Sequence, residues 1–360
     1  MPALPPVNAA WRWLQRIGYL VALIPIAQAA GGFLAGGWRA WQVPLVAFGL
    51  APLVDYLLGD DPSPPPAGDE PRSSPWHDLM LHAFVLGYWA LLLFGLGQAQ
   101  EGGWTAIERL GNTLSMGVVG GLGIVVAHEL GHRKTLFPRL MAQALLQPLC
   151  YGHFTLEHNR GHHAWVATPD DPATARYGES FYRFYLRCVP ATWLAAKRLE
   201  SERMARLGLP AWHYRNAMWR HALIPLGMAL VIVWLFGPLA LLFWAGQALI
   251  GFSLLEVVNY LEHYGLQRQP IGDGRFEPTR PQHSWNSNHL FSNLFVYQLQ
   301  RHSDHHAFPA RPYQALRPWL DAPQLPSGYT AMIPLALLPP LWFRVMNPRV
   351  QAWRERQGSL

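Results

Sequence analysis

Six long apolar runs constrain the fold of this 360-residue chain more than any other feature of its sequence. Each run has roughly the 20 residues that a helix needs to cross about 30 Å of hydrocarbon. The sequence therefore predicts six transmembrane helices. They lie at approximately 14–34, 38–58, 78–99, 112–130, 222–240 and 242–262.

The composition supports a membrane protein of the all-α class. Hydrophobic residues make up 51% of the chain and charged residues only 14%, whereas about 25% of the residues in soluble domains are charged. The first run continues through the Gly-rich sequence GGFLAGG into the second, which indicates a turn between helices rather than a cleaved signal peptide. We therefore expect residues 1–360 to form a single integral-membrane domain.

The distribution of basic residues predicts the orientation. With six spans, both termini lie on one side, and only Arg39 and Arg109 of the 28 Lys and Arg residues fall on the opposite side. Because Lys- and Arg-rich loops face the cytoplasm, we expect a protein of the cytoplasmic (inner) membrane with both termini inside. A cytoplasmic cap is expected from 131–220 and 264–360. The proline-rich loop 60–75 is interpreted as a linker, and the proline-broken run 329–343 as interfacial or re-entrant.

Four histidine clusters lie on the predicted cytoplasmic side, in HELGH (128–132), EHNRGHH (157–163), NYLEHYG (259–265) and LQRHSDHH (299–306). Residues three or four positions apart share one face of a helix, so a cluster directs several imidazoles the same way. The topology lets nine histidines converge. They are His128, His132, His158, His162, His163, His263, His302, His305 and His306.

Metal binding is the interpretation that satisfies all nine rings, since burying them unpartnered would cost about 1–3 kcal/mol each. One zinc ion takes about four ligands, so nine histidines fit two ions with four or five imidazoles each. Imidazole binds Fe, Cu, Zn and Ni, which leaves the element open. The unclustered histidines are interpreted as ordinary core or surface residues: His77, His82, His153, His213, His221, His283 and His289.

Four acidic residues stand beside or between the clustered histidines. Such acids orient imidazoles through hydrogen bonds or serve as additional ligands. The alternative is that they are ordinary solvated charges. The four candidates are Glu129, Glu157, Glu262 and Asp304.

HELGH alone is also the zinc motif of metalloproteases, so an intramembrane zinc protease is a distant alternative. That function gives no role to the other seven clustered histidines. The spacings HxxxH, HxxxHH and HxxHH instead resemble the histidine boxes of the membrane fatty acid desaturase–hydroxylase superfamily. The resemblance narrows to the integral-membrane alkane 1-monooxygenases, or alkane ω-hydroxylases. It is carried by HELGHRK (128–134), EHNRGHH (157–163), NYLEHYGL (259–266), LQRHSDHHA (299–307), SWNSNHLFSN (284–293) and FPARPYQALRP (308–318).

The resemblance implies that the nine histidines carry a non-haem di-iron centre. It also implies an activity, the O₂-dependent hydroxylation of a terminal alkane methyl to a primary alcohol. A methyl hydroxylase of xylene-type alkyl-aromatics and a lipid desaturase are the nearer alternatives. The substrate would enter from the bilayer through an apolar channel, in which Trp41 and Phe48 are hypothesised to limit chain length. The alternative is that Trp41 and Phe48 are simply aromatic residues that face lipid or pack in the core.

The resemblance also implies a separate electron donor, a rubredoxin or ferredoxin. Two isolated cysteines, Cys150 and Cys188, exclude a fused rubredoxin, and no glycine-rich dinucleotide fingerprint predicts bound flavin or NAD. The net charge of +6 suits membrane phosphates or an acidic protein such as the donor. Nucleic acid is not expected as a partner.

Overall fold

The computed structural model describes residues 16–61, 63 and 74–358. Within these ranges six helical segments are long and apolar enough to cross a membrane, which confirms the predicted number of spans and the all-α class. The first four are α1 (Arg16–Ala35), α2 (Gly37–Leu58), α3 (Pro75–Glu101) and α4 (Ala106–Gly131). Outside the spans follow α5 (Leu136–Leu146), α6 (154–165) and α7 (Phe181–Arg206). The last two spans are α8 (Ala217–Phe236) and α9 (Pro238–His263).

The chain after α9 consists mainly of short elements. Strands β1 (Pro270–Gly272) and β2 (Arg275–Phe276) pair as a small antiparallel hairpin. The helices are α10 (Leu290–Phe295), α11 (His302–Ala307), α12 (Tyr329–Ala336) and α13 (Pro339–Arg356). Single 3-10 turns occupy Gln147–Leu149, Pro281–His283 and Tyr313–Ala315. Most of the loop 60–75, predicted to be a linker, lies outside the described residues.

Helices α12 and α13 contain the apolar run 329–343, which was predicted to be interfacial or re-entrant. The two helices together are apolar enough for a span, but they meet at an angle of 119°. Proline stands at 334, 339 and 340, and proline both lacks an N–H donor and clashes with the preceding turn. The run therefore bends sharply and does not form a straight seventh crossing.

Spans α4 and α9 pack closely because glycines line their contact. A Cβ atom at Gly117 would lie 2.5 Å from Cβ of Ile250, and one at Gly121 would lie 3.0 Å from Leu254. Small residues allow the backbones of membrane helices to approach each other. This packing places the ends of α4 and α9, at Gly131 and His263, side by side. We call this end of the helix bundle the histidine end.

The segment after α9 is fixed to the histidine end by hydrogen bonds of buried groups. The backbone N–H of Trp285 donates to the Glu262 carbonyl at 2.8 Å. The buried Arg301 guanidinium donates to the carbonyls of Leu316 and Asp61 at 2.9 and 2.8 Å. Because Arg301 immediately precedes α11, these bonds tie the start of that short helix to the loop at Leu316 and to the segment that follows α2.

Candidate metal centre

The nine clustered histidines meet at the histidine end and form two groups. In each group the offered ligand atoms all lie within 4.8 Å of one another. None of the unclustered histidines belongs to either group within the described part of the chain. Group one contains His128, His132, His158, His163 and His305, and group two contains His162, His263, His302 and His306.

Helices α4 and α6 supply group one by two different spacings. His128 and His132 are four residues apart at the end of α4 and lie on one helical face. In α6, residues His158–His162 form a π-helical turn. The wider turn brings residues five apart together, and Nε2 of His158 lies 3.0 Å from Nε2 of His163. Single π turns of this kind occur frequently at functional sites.

Two histidine pairs divide between the groups. His162 belongs to group two and its neighbour His163 to group one, while His305 belongs to group one and His306 to group two. Consecutive residues of a helix point in directions about 100° apart. Each HH dipeptide therefore stands between the groups and gives one imidazole to each side. The groups lie close together, since the ring centroids of His163 and His306 are 4.6 Å apart.

The geometry of the ring nitrogens fits a metal better than a hydrogen-bond network. In group two, Nε2 of His306 lies 2.9 Å from Nε2 of His302 and 3.2 Å from Nε2 of His162. In group one, Nε2 of His158 lies 3.0 Å from His163 and 3.2 Å from His132. A neutral imidazole has a single N–H, so these facing nitrogens cannot all be paired, whereas one cation satisfies every lone pair.

Burial keeps the rings outside the spans in the form that a metal requires. It lowers the pKa of His132 to about 4. Burial and the neighbouring imidazoles hold the pKa of His158 and His305 well below the usual value. These imidazoles are neutral at physiological pH, and the neutral ring is the form that ligates metals. The residues present therefore fit a metal site.

Asp171 is a partner of group two that the sequence analysis missed. Its Oδ2 lies 2.9 Å from Nδ1 of His162, and both side chains are buried. The Thr174 hydroxyl and the Ala173 N–H donate to the same carboxylate at 2.6 and 3.0 Å. A carboxylate on the second ring nitrogen fixes the tautomer and orientation of a ligating histidine. Adjacency to a histidine does not reveal this partner, because Asp171 lies in a loop nine residues away from His162.

Glu262 is the predicted acid that reaches an imidazole. Its Oε2 lies 3.2 Å from Nε2 of His302, and both side chains are 2% exposed. The Tyr329 hydroxyl donates to Oε1 of the same carboxylate at 2.7 Å. Because Nε2 of His302 faces the interior of group two, Glu262 is positioned beside the ligand atoms of that group.

Glu129 and Asp304 have other partners. Glu129 accepts a hydrogen bond of 2.8 Å from Arg133, one turn further along the chain. The fully buried Asp304 binds Arg311 and accepts hydrogen bonds of 2.8 Å from Trp319 Nε1 and 3.0 Å from the Arg317 N–H. These bonds anchor α11 to the following loop, so Asp304 holds His302, His305 and His306 in place through the backbone.

Glu157 lies in a small buried pocket behind both groups. The pocket is also lined by His158, His162 and Glu256. Oε1 of Glu157 has no hydrogen-bond partner within the described part of the chain. Burial, together with the nearby Asp171 and Glu256, raises the pKa of Glu157 well above its usual value.

An apolar cavity runs along α4 to both groups. Its lining includes Val118 and His128, which are ten residues apart and hence separated by about 15 Å on a helix. Its histidine end is formed by His128, His158, His302 and Glu262, and its apolar walls include Phe48, Leu122, Leu254, Phe295 and Ile333. The cavity therefore offers a dry path for an apolar molecule to the imidazoles.

The two aromatic residues of the predicted channel lie at different depths. Phe48 lines the cavity. The Trp41 indole packs against Gly111, where an added Cβ would lie 2.7 Å from Nε1. Gly111 precedes Val118 by seven residues, so Trp41 stands about 10 Å further from the histidines along α4.

Comparison with known proteins places these features in a family. The fatty acid desaturase family matches residues 103–336. The chain is 43% identical to alkane 1-monooxygenase 2 of Pseudomonas aeruginosa, over 96% of this chain and 95% of the relative. It is 42% identical to the alkane 1-monooxygenase of Ectopseudomonas oleovorans, over 93% of this chain and 85% of the relative. The chain is 28% identical to the xylene/toluene monooxygenase hydroxylase component XylM of Pseudomonas putida, over 94% of this chain and 90% of the relative.

These matches include the segments that contain all nine clustered histidines and confirm the resemblance seen in the sequence. The family, the six candidate spans and the two histidine groups agree with one another. The chain therefore belongs to the alkane 1-monooxygenases, oxidoreductases within the fatty acid desaturase family, and is a multi-pass membrane protein.

Proposed function

We propose that this enzyme hydroxylates the terminal methyl group of linear alkanes, with O₂ as the oxygen source. Alkane, O₂, two electrons and two protons would give a primary alcohol and water. The observation that carries the proposal is the apolar cavity ending at His128, His158 and His302. The names of relatives that are 42–43% identical to this chain support an alkane substrate.

We propose further that the histidine groups hold two irons, five imidazoles facing one and four facing the other. Bound there, the irons would supply the oxidant that an unpolarised C–H bond requires, because acid–base groups have nothing to act on. The protein's own contribution is positioning. Apolar side chains such as Phe48 and Leu254 exclude water and align the chain, so that its methyl end lies beside His128 and His302.

The assay that tests the reaction uses the purified enzyme with a reduced rubredoxin or ferredoxin, O₂ and one of three substrates. Octane and hexadecane should give 1-octanol or 1-hexadecanol. A predominant product from xylene would instead favour the second candidate, methyl hydroxylation of alkyl-aromatics, which the match to XylM suggests. Desaturated products without alcohol would contradict hydroxylation altogether.

Metal analysis separates the oxygenase from the distant protease alternative. Two filled histidine groups predict about two irons per chain, whereas a zinc protease would hold about one zinc. Zinc near one per chain with no iron would remove the proposal.

The electron donor is proposed to be a separate acidic rubredoxin or ferredoxin. It would bind the predicted cytoplasmic side of the protein, to which all Lys and Arg residues except Arg39 and Arg109 are assigned. Attraction between opposite charges speeds association and weakens as salt rises. Donor-dependent turnover at low donor concentration should therefore fall with ionic strength. A flat response would count against electrostatic steering while leaving the hydroxylation assay unaffected.

The orientation is proposed to place the histidine end and both termini in the cytoplasm, with residues 1–360 forming one domain in the inner membrane. The support is the charge asymmetry, since Arg39 and Arg109 are the basic residues assigned to the other side. Labelling of single cysteines introduced near residue 210 and at residue 103 in intact cells tests it. Access to residue 103 alone is the expected result.

Phe48 and Trp41 are proposed to limit the chain length of the substrate from two depths. Phe48→Ala widens the cavity itself, and Trp41→Ser opens the space beside Gly111 further from the histidines. Relative rates on C6 to C16 alkanes should shift toward longer chains in both variants. An unchanged chain-length profile would show that the residue is only a packing or lipid-facing aromatic.

A further inference from the structure

A second pocket on the histidine end lies at the depth where two spans terminate. It is lined by Gly131, the last residue of α4, and by Ala217, the first residue of α8. Helices α5 and α6 form its other walls, and its volume is about 230 Å³. Because spans end near the boundary between hydrocarbon and headgroups, we expect this pocket to lie near the level of the lipid phosphates.

Three arginines from three different helices line the pocket. They are Arg139 of α5, Arg160 of α6 and Arg220 of α8, and all three are exposed. Among the described residues, none of them forms an ion pair or a side-chain hydrogen bond, and the part of the chain that the structure describes puts no Asp or Glu in the pocket wall. By contrast, the nearby Arg203 is paired with Glu200 at 2.6 Å. Glu200 is near enough to Arg160 to interact with it electrostatically, but its carboxylate is already paired with Arg203. The pocket thus keeps a net positive charge.

The neutral polar groups of the pocket are already engaged. Gln143 donates to the Thr155 hydroxyl at 2.9 Å, and Asn159 donates to the Gly131 carbonyl at 3.1 Å. The donors left for a ligand are therefore the guanidinium groups and the free ring N–H of His221, whose Nδ1 faces Nε2 of Gln147 at 3.1 Å. A guanidinium presents a planar fork of N–H donors that matches the oxygens of a phosphate.

An apolar rim adjoins the arginines. Leu136 and Leu140 line the pocket. On the outer face of α5, Leu136 is 69% exposed, Phe137 59% and Leu140 52%. Trp219 is 48% exposed at the start of α8. A helix with exposed apolar residues beside basic ones lies in the membrane interface, and exposed tryptophans are enriched at that level.

We propose that this pocket binds an anionic phospholipid. The three guanidinium groups would hold its phosphate, and Leu136 and Leu140 would contact the upper part of an acyl chain. Basic pockets between membrane helices bind acidic headgroups by this combination of charge and depth. A lipid satisfies both the unpaired arginines and the apolar rim, whereas a soluble anion satisfies only the arginines.

The test compares thermal unfolding of the purified full-length enzyme in detergent with added lipid. Phosphatidylglycerol should raise the Tm, and phosphatidylcholine at the same concentration should not. In the variant Arg139→Gln/Arg160→Gln/Arg220→Gln, the half-saturating concentration of phosphatidylglycerol should rise about a hundredfold, the loss expected for three arginines near anionic lipid. The matched control is Arg183→Gln/Arg198→Gln/Arg344→Gln, which removes the same charge from exposed positions elsewhere and should respond as the parent does.

Several outcomes would overturn the proposal. Equal responses of the two triple variants, or equal protection by both lipids, would show that the pocket does not select a headgroup. Protection by inorganic phosphate at the same concentration would indicate a site for soluble anions. A rise in KM for the reduced electron donor, with lipid response unchanged, would assign the arginines to a protein partner. If the triple variant does not fold, native mass spectrometry of Arg220→Gln should detect fewer retained phosphatidylglycerol molecules than in the parent.

Discussion

The two histidine groups are built from the same side chain but lie in different surroundings. Group one has five imidazoles, two of which, His132 and His163, are only half-buried. Group two has four imidazoles, all buried. Two carboxylates reach group two, Asp171 at His162 and Glu262 at His302, each within 3.2 Å.

The difference indicates how each group would compensate the charge of a bound metal ion. Group two adds negative charge next to its imidazoles, and each carboxylate is held by further hydrogen bonds from Thr174 or Tyr329. Group one has instead one more imidazole. We infer that loss of a ligand is more damaging in group two. It leaves three imidazoles, and release of the ion would leave two buried carboxylates without its compensating positive charge.

The largest effect is expected from His263→Ala, which removes one of the four imidazoles of group two. Iron should fall from about two to about one per chain. Activity should fall by about 100-fold or more, because losing a ligand costs more than losing a residue that only hydrogen-bonds to a ligand, which typically costs about 10–100-fold. Metal analysis and alcohol production on octane measure the two quantities, and membrane insertion should be unchanged. An active, fully metallated variant would show that His263 is not a ligand.

His132→Ala tests the other side of the comparison. It leaves group one with four imidazoles, a number that suffices for a metal site. The variant should keep more iron and more activity than His263→Ala under the same conditions. His213→Ala, a change at an unclustered histidine, is the control and should match the parent. If His132→Ala loses more iron than His263→Ala, the proposed difference between the groups is wrong.

Asp171→Asn keeps the shape of the side chain but removes its charge from the Nδ1 atom of His162. Such outer partners typically contribute 10–100-fold to metal affinity or activity, and a loss of about this size is expected. Asp170→Asn changes the exposed neighbouring carboxylate and provides the matched control. Iron affinity, measured by competition with a chelator, should fall in the first variant only; equal affinities would assign Asp171 a purely structural role.

The sequence was sufficient for the parts of this molecule that depend on local patterns. Apolar runs predicted the six spans, and histidine spacing selected the nine imidazoles that lie in the two groups; their role as ligands stays a prediction. The division into five and four was not predictable. It depends on the π turn at His158–His162, which residue spacing does not predict. It also depends on the directions in which the two HH pairs point.

Hydrogen-bond partners that only the tertiary structure brings together could not be predicted from the sequence either. Asp171 reaches His162 from an irregular loop, and Tyr329 reaches Glu262 from 67 residues away. Conversely, Glu129 and Asp304 stand beside histidines in the sequence but pair with Arg133 and Arg311. Adjacency along a helix places consecutive side chains about 100° apart, so it is a poor guide to contact.

The smallest effect is expected from Tyr329→Phe, which alters group two without removing a ligand or a charge. The change deletes the hydroxyl that donates to Glu262, and a hydrogen bond to a charged group contributes about 1.5–3 kcal/mol. Glu262 then becomes freer to move relative to His302, so activity should fall less than in Asp171→Asn while two irons remain bound. Tyr185→Phe, which removes a half-buried hydroxyl bonded to Ser253 at 2.8 Å, is the control for loss of a tyrosine hydroxyl. Equal rates for both tyrosine variants would mean that the position of Glu262 does not matter for group two, and the contrast between the groups would then rest on Asp171 alone.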